Sequence, residues 1–176
     1  RIYPQLSSKI SYPLLKTTTS VNQTLTPIIM PIIAPYNNYT SRISVTNSKL
    51  FSTNRATSIT EWEDGPRINY GIEWYVAYKN LYDAKFTLGQ SVKKNKESFD
   101  NTDEISDISL SSNIDVADFG YLTSNFEIDK ENYFIKNNSS IASIDFRDIR
   151  IVAEYDYSSD DNGSPSEQIG FGTRFE

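Results

Sequence analysis

The fold is decided by the stretch that reads RINYGIEWYVAYK at residues 67–79. Successive side chains of a β-strand point to opposite faces of a sheet, so a period of two separates an apolar face from a polar one. The apolar positions of this stretch are Ile68, Tyr70, Ile72, Trp74, Val76 and Tyr78. After a short turn, residues 82–92 continue the same alternation. The sequence therefore predicts a β-hairpin with one apolar and one polar face.

The same alternation recurs along the chain and predicts an all-β protein of about nine strands. The strands are expected at residues 1–12, 21–34, 67–79, 82–92, 107–116, 119–129, 141–147, 149–157 and 168–175. Residues 13–20 are expected to be a linker. Pro27 and Pro31 cannot donate to a ladder, so they predict bulges or an edge in the second strand.

The predicted connections alternate between short and long. Tight connections are expected near 80–81, 117–118 and 147–148, and long polar loops at 35–66, 93–106, 130–140 and 158–167. Transmembrane barrels have short turns at one end and long loops at the other, whereas no such rule sorts the loops of a soluble sandwich. We therefore predict an antiparallel, up-and-down transmembrane β-barrel, with residues 1–176 forming part of one barrel domain. A secreted β-sandwich or soluble barrel is the alternative.

Composition excludes several classes of function. A formal net charge of −6 argues against nucleic acid as a partner, because its phosphates require clustered Lys and Arg. The chain has no Cys and no His, which excludes Ser-His-Asp and Cys-His catalysis and the commonest zinc ligands. We predict no catalytic, cofactor or metal site. Because the chain begins at Arg1 rather than Met and its end still has a strand pattern, we expect it to be part of a longer protein.

Several polar groups have both a functional and an ordinary interpretation. The acids Glu61, Glu63 and Asp64 could pair for acid–base chemistry, but no nucleophile accompanies them, and loop solubility is the better interpretation. Residues 160–163, which read DDNG, lack the spaced glutamate of a calcium loop. The candidate lumen-facing charges of a barrel are Arg67, Glu73, Lys85, Glu127, Asp145 and Arg147. The same pattern also fits the wet face of any sheet.

Three short segments carry a resemblance to a known family. LFSTNR at 50–55, GPRINYG at 65–71 and GQS at 89–91 resemble the C-terminal barrel of the LPS-assembly outer-membrane protein family, also called organic solvent tolerance protein. The motif residues are Leu50, Phe51, Asn54, Arg55, Gly65, Pro66, Arg67, Tyr70, Gly71, Gly89 and Gln90. The resemblance covers residues 1–92 and is strongest to alphaproteobacterial members. It departs at 56–61, where ATSITE replaces the family's Phe-x-Gly-x-Asp-Arg.

The resemblance implies a function without covalent chemistry. Members insert lipopolysaccharide (LPS) into the outer leaflet of the Gram-negative outer membrane and are not enzymes. The implied partners are LPS, a lipoprotein plug inside the barrel, periplasmic LPS-transport bridge proteins and outer-membrane lipid, with no cofactor. A porin-like outer-membrane channel and a secreted glycan-binding β-sandwich stay open as alternatives.

The motif also has a physical interpretation of its own. Gly65 and Pro66 predict a sharp entry into the strand, because Pro fixes φ and removes a donor. Gly71 and Gly89 fall on the polar face, where a missing side chain leaves room for a loop or plug to approach the wall. Asn54 and Arg55 are expected to tie the loop inside the barrel through side-chain to backbone bonds.

Overall fold

One antiparallel sheet contains all the strands of the computed structural model, which describes residues 4–36, 49–56, 62–79, 81–94, 104–159 and 165–175. The strands are β1 (Leu6–Ser7), β2 (Ile10–Ser11), β3 (Leu14–Thr17), β4 (Val21–Ile33), β5 (Arg67–Tyr78), β6 (Tyr82–Lys93), β7 (Glu104–Ile105), β8 (Ile108–Val116), β9 (Gly120–Ile128), β10 (Ile135–Phe146), β11 (Ile149–Ser158) and β12 (Ser166–Phe175). Their order is β1-β4-β5-β6-β8-β9-β10-β11-β12, with β2 and β3 also on β4, and β7 on β6. This nine-strand path confirms the predicted all-β, up-and-down arrangement.

The two prolines of β4 explain why its first neighbour is broken into three pieces. The carbonyls of Pro27 and Pro31 accept hydrogen bonds from the amides of Tyr12 and Ser8, each at 3.2 Å. In an antiparallel strand the N–H and C=O of one residue point to the same neighbour, so the missing proline donors also face this side. The pairing lapses at these two points and separates β1, β2 and β3. The predicted irregularity is present, but β4 is paired on both sides rather than an edge.

Two predicted connections are shorter than expected. Residues 13–20 are not a linker, because β3 pairs with β4 up to Thr17 and only 18–20 form the turn. The predicted loop 130–140 is reduced to 129–134, because β10 begins at Ile135. Its Asn- and Ser-rich stretch 137–140 looks like a loop by composition but pairs with both β9 and β11. Side-chain amides there bond across the strands, as Asn137 Nδ2 does to Glu127 Oε2 at 2.7 Å.

Short turns and long connections lie at opposite ends of the sheet. One end carries the turns at 18–20, 79–81, 117–119 and 147–148, three of which contain a positive-φ residue, namely Lys79, Asp118 or Arg147. The other end carries the connections 34–66, 94–107, 129–134 and 159–165. The predicted sorting of connections by end is therefore present in the fold.

A network of charges closes the connection 129–134 at the long-connection end. Lys136 Nζ lies 3.1 Å from the carboxylate oxygens of both Asp107 and Asp129. The amides of Asn132 and Glu131 donate to Asp129 Oδ1 at 2.7 and 2.9 Å. These bonds, above all the one from Asn132, hold the pKa of Asp129 below its ordinary value. The acid is therefore ionised at neutral pH and helps to fix the turn.

The register divides the sheet into one apolar and one polar face. From β4 to β12 the alternation stays in phase, so the side chain of Trp74 shares its face with Leu25, Phe86 and Ile169. Many large side chains on this face are exposed, from 37% for Tyr70 to 81% for Phe171. Within the part of the chain that the structure describes, nothing packs over this face. The fold therefore presents a broad apolar surface to its surroundings.

Among the described strands, β1 and β12 end the path and do not pair with each other. The sheet is therefore open in this chain, as an incomplete part of a barrel would be. No helix in the described ranges is both long and apolar enough to cross a membrane.

Candidate functional site

The segment 49–56 lies on the polar face of the sheet, over the long-connection end of β4, β5 and β6. Leu50 is only 2% exposed. By register, Ile28, Met30 and Ile32 share the polar face with Asn69 and Ser91, and all three are buried. Burial of these apolar side chains requires a cover at this end of the polar face, and segment 49–56 lies there, with its Leu50 carbonyl bonded to Asn69 and its Thr53 carbonyl bonded to Arg67. This apolar patch was not foreseen, because the run around Pro27 and Pro31 looked irregular in the sequence.

A glycine of β6 lets segment 49–56 approach the sheet closely, and a second glycine lies opposite it on β5. Gly71 and Gly89 are directly opposed in the β5–β6 ladder and lie on the polar face. A Cβ built at Gly89 would collide with the Tyr70 carbonyl oxygen and lie 2.6 Å from Leu50 Cδ2, and a Cβ at Gly71 would collide with the backbone of Leu88. Any side chain at Gly89 would therefore displace Leu50. The sequence predicted room for a loop at both glycines, and the contact with segment 49–56 lies at Gly89, whereas the space at Gly71 faces the backbone of β6.

We expect Gly89→Ala to release segment 49–56 from the sheet. Overpacking of this kind costs about 1–3 kcal/mol, which would raise the labelling rate of a cysteine placed at buried Ala56 by about fivefold to a hundredfold. The measurement is the rate of maleimide labelling in the full chain, which has no native cysteine in these 176 residues. Gly172→Ala is the matched control, since a Cβ there meets nothing within 4 Å. Equal labelling rates in Gly89→Ala and Gly172→Ala would contradict the close approach of Leu50 to Gly89.

Three buried charges hold segment 49–56 to the start of β5. The side chains of Arg55, Glu63 and Arg67 are 6%, 5% and 0% exposed. Arg55 donates Nε and Nη2 to the two carboxylate oxygens of Glu63 at 3.0 and 2.5 Å. Arg67 Nε lies 3.2 Å from Glu63 Oε2. One carboxylate therefore bridges two guanidinium groups in a site closed to water.

Backbone groups of segment 49–56 are satisfied by side chains from the sheet. Asn69 Nδ2 donates to the Leu50 carbonyl at 2.6 Å, and Ser91 Oγ donates to Asn69 Oδ1 at 2.8 Å. Arg67 Nη2 donates to the Thr53 carbonyl, also at 2.6 Å. These bonds matter because a backbone carbonyl that is buried without a hydrogen-bond partner would disfavour the binding of segment 49–56 to the sheet. The segment is thus bound by its backbone as well as by Leu50.

The side chain of Asn54 joins segment 49–56 to the residues that precede β5. Its Oδ1 accepts from the amides of Ala56 and Glu63, each at 3.2 Å. The predicted side-chain to backbone role is therefore present for Asn54. Arg55 instead uses the carboxylate of Glu63. That glutamate was assigned to loop solubility, which is wrong, because it is buried between two arginines; Glu61 lies outside the described residues.

The remaining motif residues shape the ends of the strands. Gly65 has φ +76, a value that favours glycine, and its amide donates to the Pro35 carbonyl at 3.2 Å. The carbonyl of Pro66 accepts a hydrogen bond from the amide of Lys94 at the end of the β5–β6 ladder.

Tyr70 donates its hydroxyl to Gln90 Oε1 at 3.1 Å. Gln90 in turn donates to the carbonyl of Ser106 at 3.1 Å, at the shift in register between β7 and β8. The ammonium nitrogen of Lys9 lies over the ring of Phe51, 5.5 Å from the ring centroid.

The comparison with protein-family models decides the family. A model of the LPS transport system D family matches residues 1–175, nearly the whole chain. The chain belongs to this family. A search of the curated proteins finds no match. The LPS transport system D family is one of Gram-negative outer-membrane proteins for transport and assembly, so membership supports a part in LPS transport or assembly.

In this member of the LPS transport system D family, most candidate lumen charges share one face. Arg67, Glu73, Lys85, Glu127 and Asp145 all fall on the polar face by register. Glu73 lies 3.4 Å from Lys85 and 3.8 Å from Lys9. Asp145 accepts a bidentate pair of bonds from Arg150 at 2.6 and 3.0 Å.

Arg147 does not join these charges. It occupies the turn between β10 and β11 with φ 55, and its guanidinium lies over the ring of Phe146 at 5.6 Å. The two-residue turn takes Arg147 out of the strand, which the alternation alone did not show. The candidate calcium loop at residues 160–163 lies outside the described residues.

Proposed function

We propose that this sheet is a section of the wall of a transmembrane barrel in the outer membrane, with its apolar face toward lipid and its polar face toward a lumen. The barrel would receive LPS from periplasmic bridge proteins and insert it into the outer leaflet. No covalent step is needed, so the residues of the wall act by position and polarity alone. A lipoprotein plug inside the lumen completes the proposed assembly.

The observation that carries this proposal is the uncovered apolar face. It runs across the whole sheet, and its side chains include Trp74, Phe86, Leu122, Ile151 and Phe171. In water such a surface would favour association, whereas in a bilayer it is the surface that a barrel requires. Closed barrels also satisfy every backbone group at membrane depth, which an open edge does not. We therefore expect further strands to pair with β1 and β12.

Segment 49–56 has a place in this proposal. It covers the polar face at the long-connection end, which is the outer end in barrels of this kind. Bound at this position, it would narrow the lumen of the barrel near the cell surface. The glycine pair and the buried charges would then set how much of the lumen stays open.

We expect cysteine labelling to separate the two faces of the hairpin β5–β6. Single cysteines at Glu73 and Lys85 should react with a water-soluble maleimide in outer-membrane vesicles, because they face the lumen. Cysteines at Trp74 and Phe86 should be protected, because those stacked rings face lipid. The reverse pattern, or equal labelling at all four positions, would rule out this orientation.

Crosslinking to LPS tests the transport function itself. A photo-reactive amino acid at Glu73 or Lys85 in the full-length protein should capture LPS in living cells, whereas one at Trp74 should capture phospholipid. A porin-like channel would give the same cysteine pattern but no LPS adduct. A secreted sandwich would show neither heat-modifiable mobility nor extraction by detergent.

A further inference from the structure

Two cations at the short-turn end of the sheet each lie over an aromatic ring of the apolar face. Lys79 follows Tyr78 in the turn between β5 and β6, and its ammonium nitrogen lies 5.5 Å from the centroid of the Tyr78 ring. Arg147 follows Phe146 in the turn between β10 and β11, and its guanidinium carbon lies 5.6 Å from the centroid of the Phe146 ring. By register, both rings belong to the apolar face. The two charges are therefore held at the rim of the apolar face.

The backbone places each cation directly after a closed ladder. Tyr78 is paired with Tyr82, and Phe146 is paired with Ile149, so pairing continues up to the turn. The rings of Tyr78 and Tyr82 also stack, with their centroids 5.3 Å apart. Aromatic rings at the ends of barrel strands are typical of the level at which a bilayer meets water. The cations therefore lie at the level expected for lipid headgroups.

Neither cation is neutralised by the protein. Within the described ranges, no carboxylate lies at ion-pair distance from Lys79 or Arg147. Asp148 follows Arg147 in the same turn, but it is exposed and does not pair with it. Arg150, on the polar face, is by contrast bound by Asp145 at 2.6 Å. Exposed ammonium and guanidinium groups of this kind are suited to a phosphate, which guanidinium binds in a bidentate geometry.

The charges on the rest of the apolar face differ between its two ends. Among residues paired in the described ladders, the charged ones on this face are Lys16, near the short turns, and Glu167, at the long-connection end. Cations therefore lie at one end of a broad apolar surface. A partner that complements this surface has an anionic group at the edge of an apolar body, which is the form of an anionic phospholipid.

We propose that Lys79 and Arg147 each bind the phosphate of an anionic phospholipid whose acyl chains lie along the apolar face. Tyr78 and Phe146 are the positioning residues that hold the two charges at the headgroup level. The proposal rests on the proposed function, because it requires the apolar face to lie in a membrane. The turn 117–119, between the two sites, carries Asp118 and no cation. Binding is therefore expected at two separate positions instead of along a continuous band.

The test is photo-crosslinking of the full-length protein in vesicles of phosphatidylcholine with a minor share of phosphatidylglycerol. One photo-reactive amino acid replaces Ile149, opposite Phe146, and a matched probe replaces Leu122 on the same face; the two native residues are 37% and 38% exposed. The masses of the adducts give the ratio of the two lipids. At Ile149 phosphatidylglycerol should be enriched over the vesicle by about fivefold, the effect of one cation near a membrane surface. At Leu122 the adducts should have the ratio of the vesicle.

Variants of the two arginines at this end of the sheet separate a local site from a general effect of charge. Arg147→Gln should abolish the enrichment at Ile149, and Arg147→Lys should retain most of it. Arg174→Gln is the matched control, since Arg174 is also exposed but falls on the polar face by register. It should leave the ratio at Ile149 unchanged. A probe at Tyr82 with Lys79→Gln tests the second site in the same way, and heat-modifiable mobility verifies that each variant is folded.

The possible failures of the inference and of the proposed function are distinct. Lipid adducts at Ile149 in the ratio of the vesicle would overturn the inference and leave the proposed function standing, because the face would still be in lipid. Equal loss of enrichment in Arg147→Gln and Arg174→Gln would also overturn it, because net charge alone would then attract the lipid. If neither Ile149 nor Leu122 yields a lipid adduct, the inference and the proposed function fail together.

Discussion

Replacing Glu63 with Gln is expected to release segment 49–56 from the sheet. The change removes the carboxylate that pairs with both buried guanidinium groups, those of Arg55 and Arg67, and breaking a buried ion pair in this way costs about 3–5 kcal/mol. The two guanidinium groups would also repel each other, since both were held by the same carboxylate. The readout is hydrogen exchange of the amides of Ser52 and Ala56 in the full chain. Protection should fall by about a hundredfold or more.

Asp64→Asn is the matched control for this prediction. Asp64 pairs with Lys93 at 2.8 Å, but the two side chains are 25% and 31% exposed. A partly exposed pair contributes only about 0–1 kcal/mol. Asp64 also attracts Arg67 electrostatically, but only Glu63 is buried between the two guanidinium groups, so the two variants remove the same charge and differ mainly in burial. Equal exchange in both would mean that the buried carboxylate does not hold the segment in place.

The sequence was sufficient to predict the parts of the fold that follow from the two-residue alternation of side chains in a strand. The hairpin at 67–92 shows its two faces because the alternation of apolar and polar residues is unbroken along its length, even though segment 49–56 covers one end of the polar face. The glycine pair could also be placed, since Gly71 and Gly89 interrupt the polar face at opposed positions. Both features are local, so they can be recognised from spacing alone.

The candidate site depends on contacts that spacing does not contain. Glu63 and Arg55 are close in sequence, but their burial requires the sheet to lie beneath them. Ile28 and Met30 were hidden for a related reason, because β4 carries apolar side chains on both faces where segment 49–56 covers it. The stretch 137–140 was placed in a loop because of its Asn and Ser content, but these side chains bond within the sheet. Asn138 Nδ2 donates to the Asn125 carbonyl of β9, and Ser140 Oγ donates to Asn138 Oδ1 within β10. Each of these errors comes from a tertiary partner that reverses a local preference.

Replacing Trp74 with Arg is expected to destabilise the protein strongly, but only in a membrane. Trp74 lies near the middle of β5 on the apolar face, stacked on Phe86 with ring centroids 5.5 Å apart. An arginine on the lipid face of a barrel costs about 2–4 kcal/mol at the bilayer midplane and about 0–1 near the interface. The measurement is the free energy of unfolding of the full chain in lipid vesicles, from denaturant titration followed by heat-modifiable mobility.

Tyr75→Arg provides an unusually close control, because the neighbouring residue has the same exposure on the opposite face. Trp74 is 42% exposed and Tyr75 is 41% exposed, so burial within the chain cannot separate them. Only the surroundings of the two faces differ. If the polar face lines a wet lumen, Tyr75→Arg should change the free energy of unfolding by about 0.5 kcal/mol or less. Equal losses in the two variants would contradict the assignment of lipid to one face, and with it the barrel.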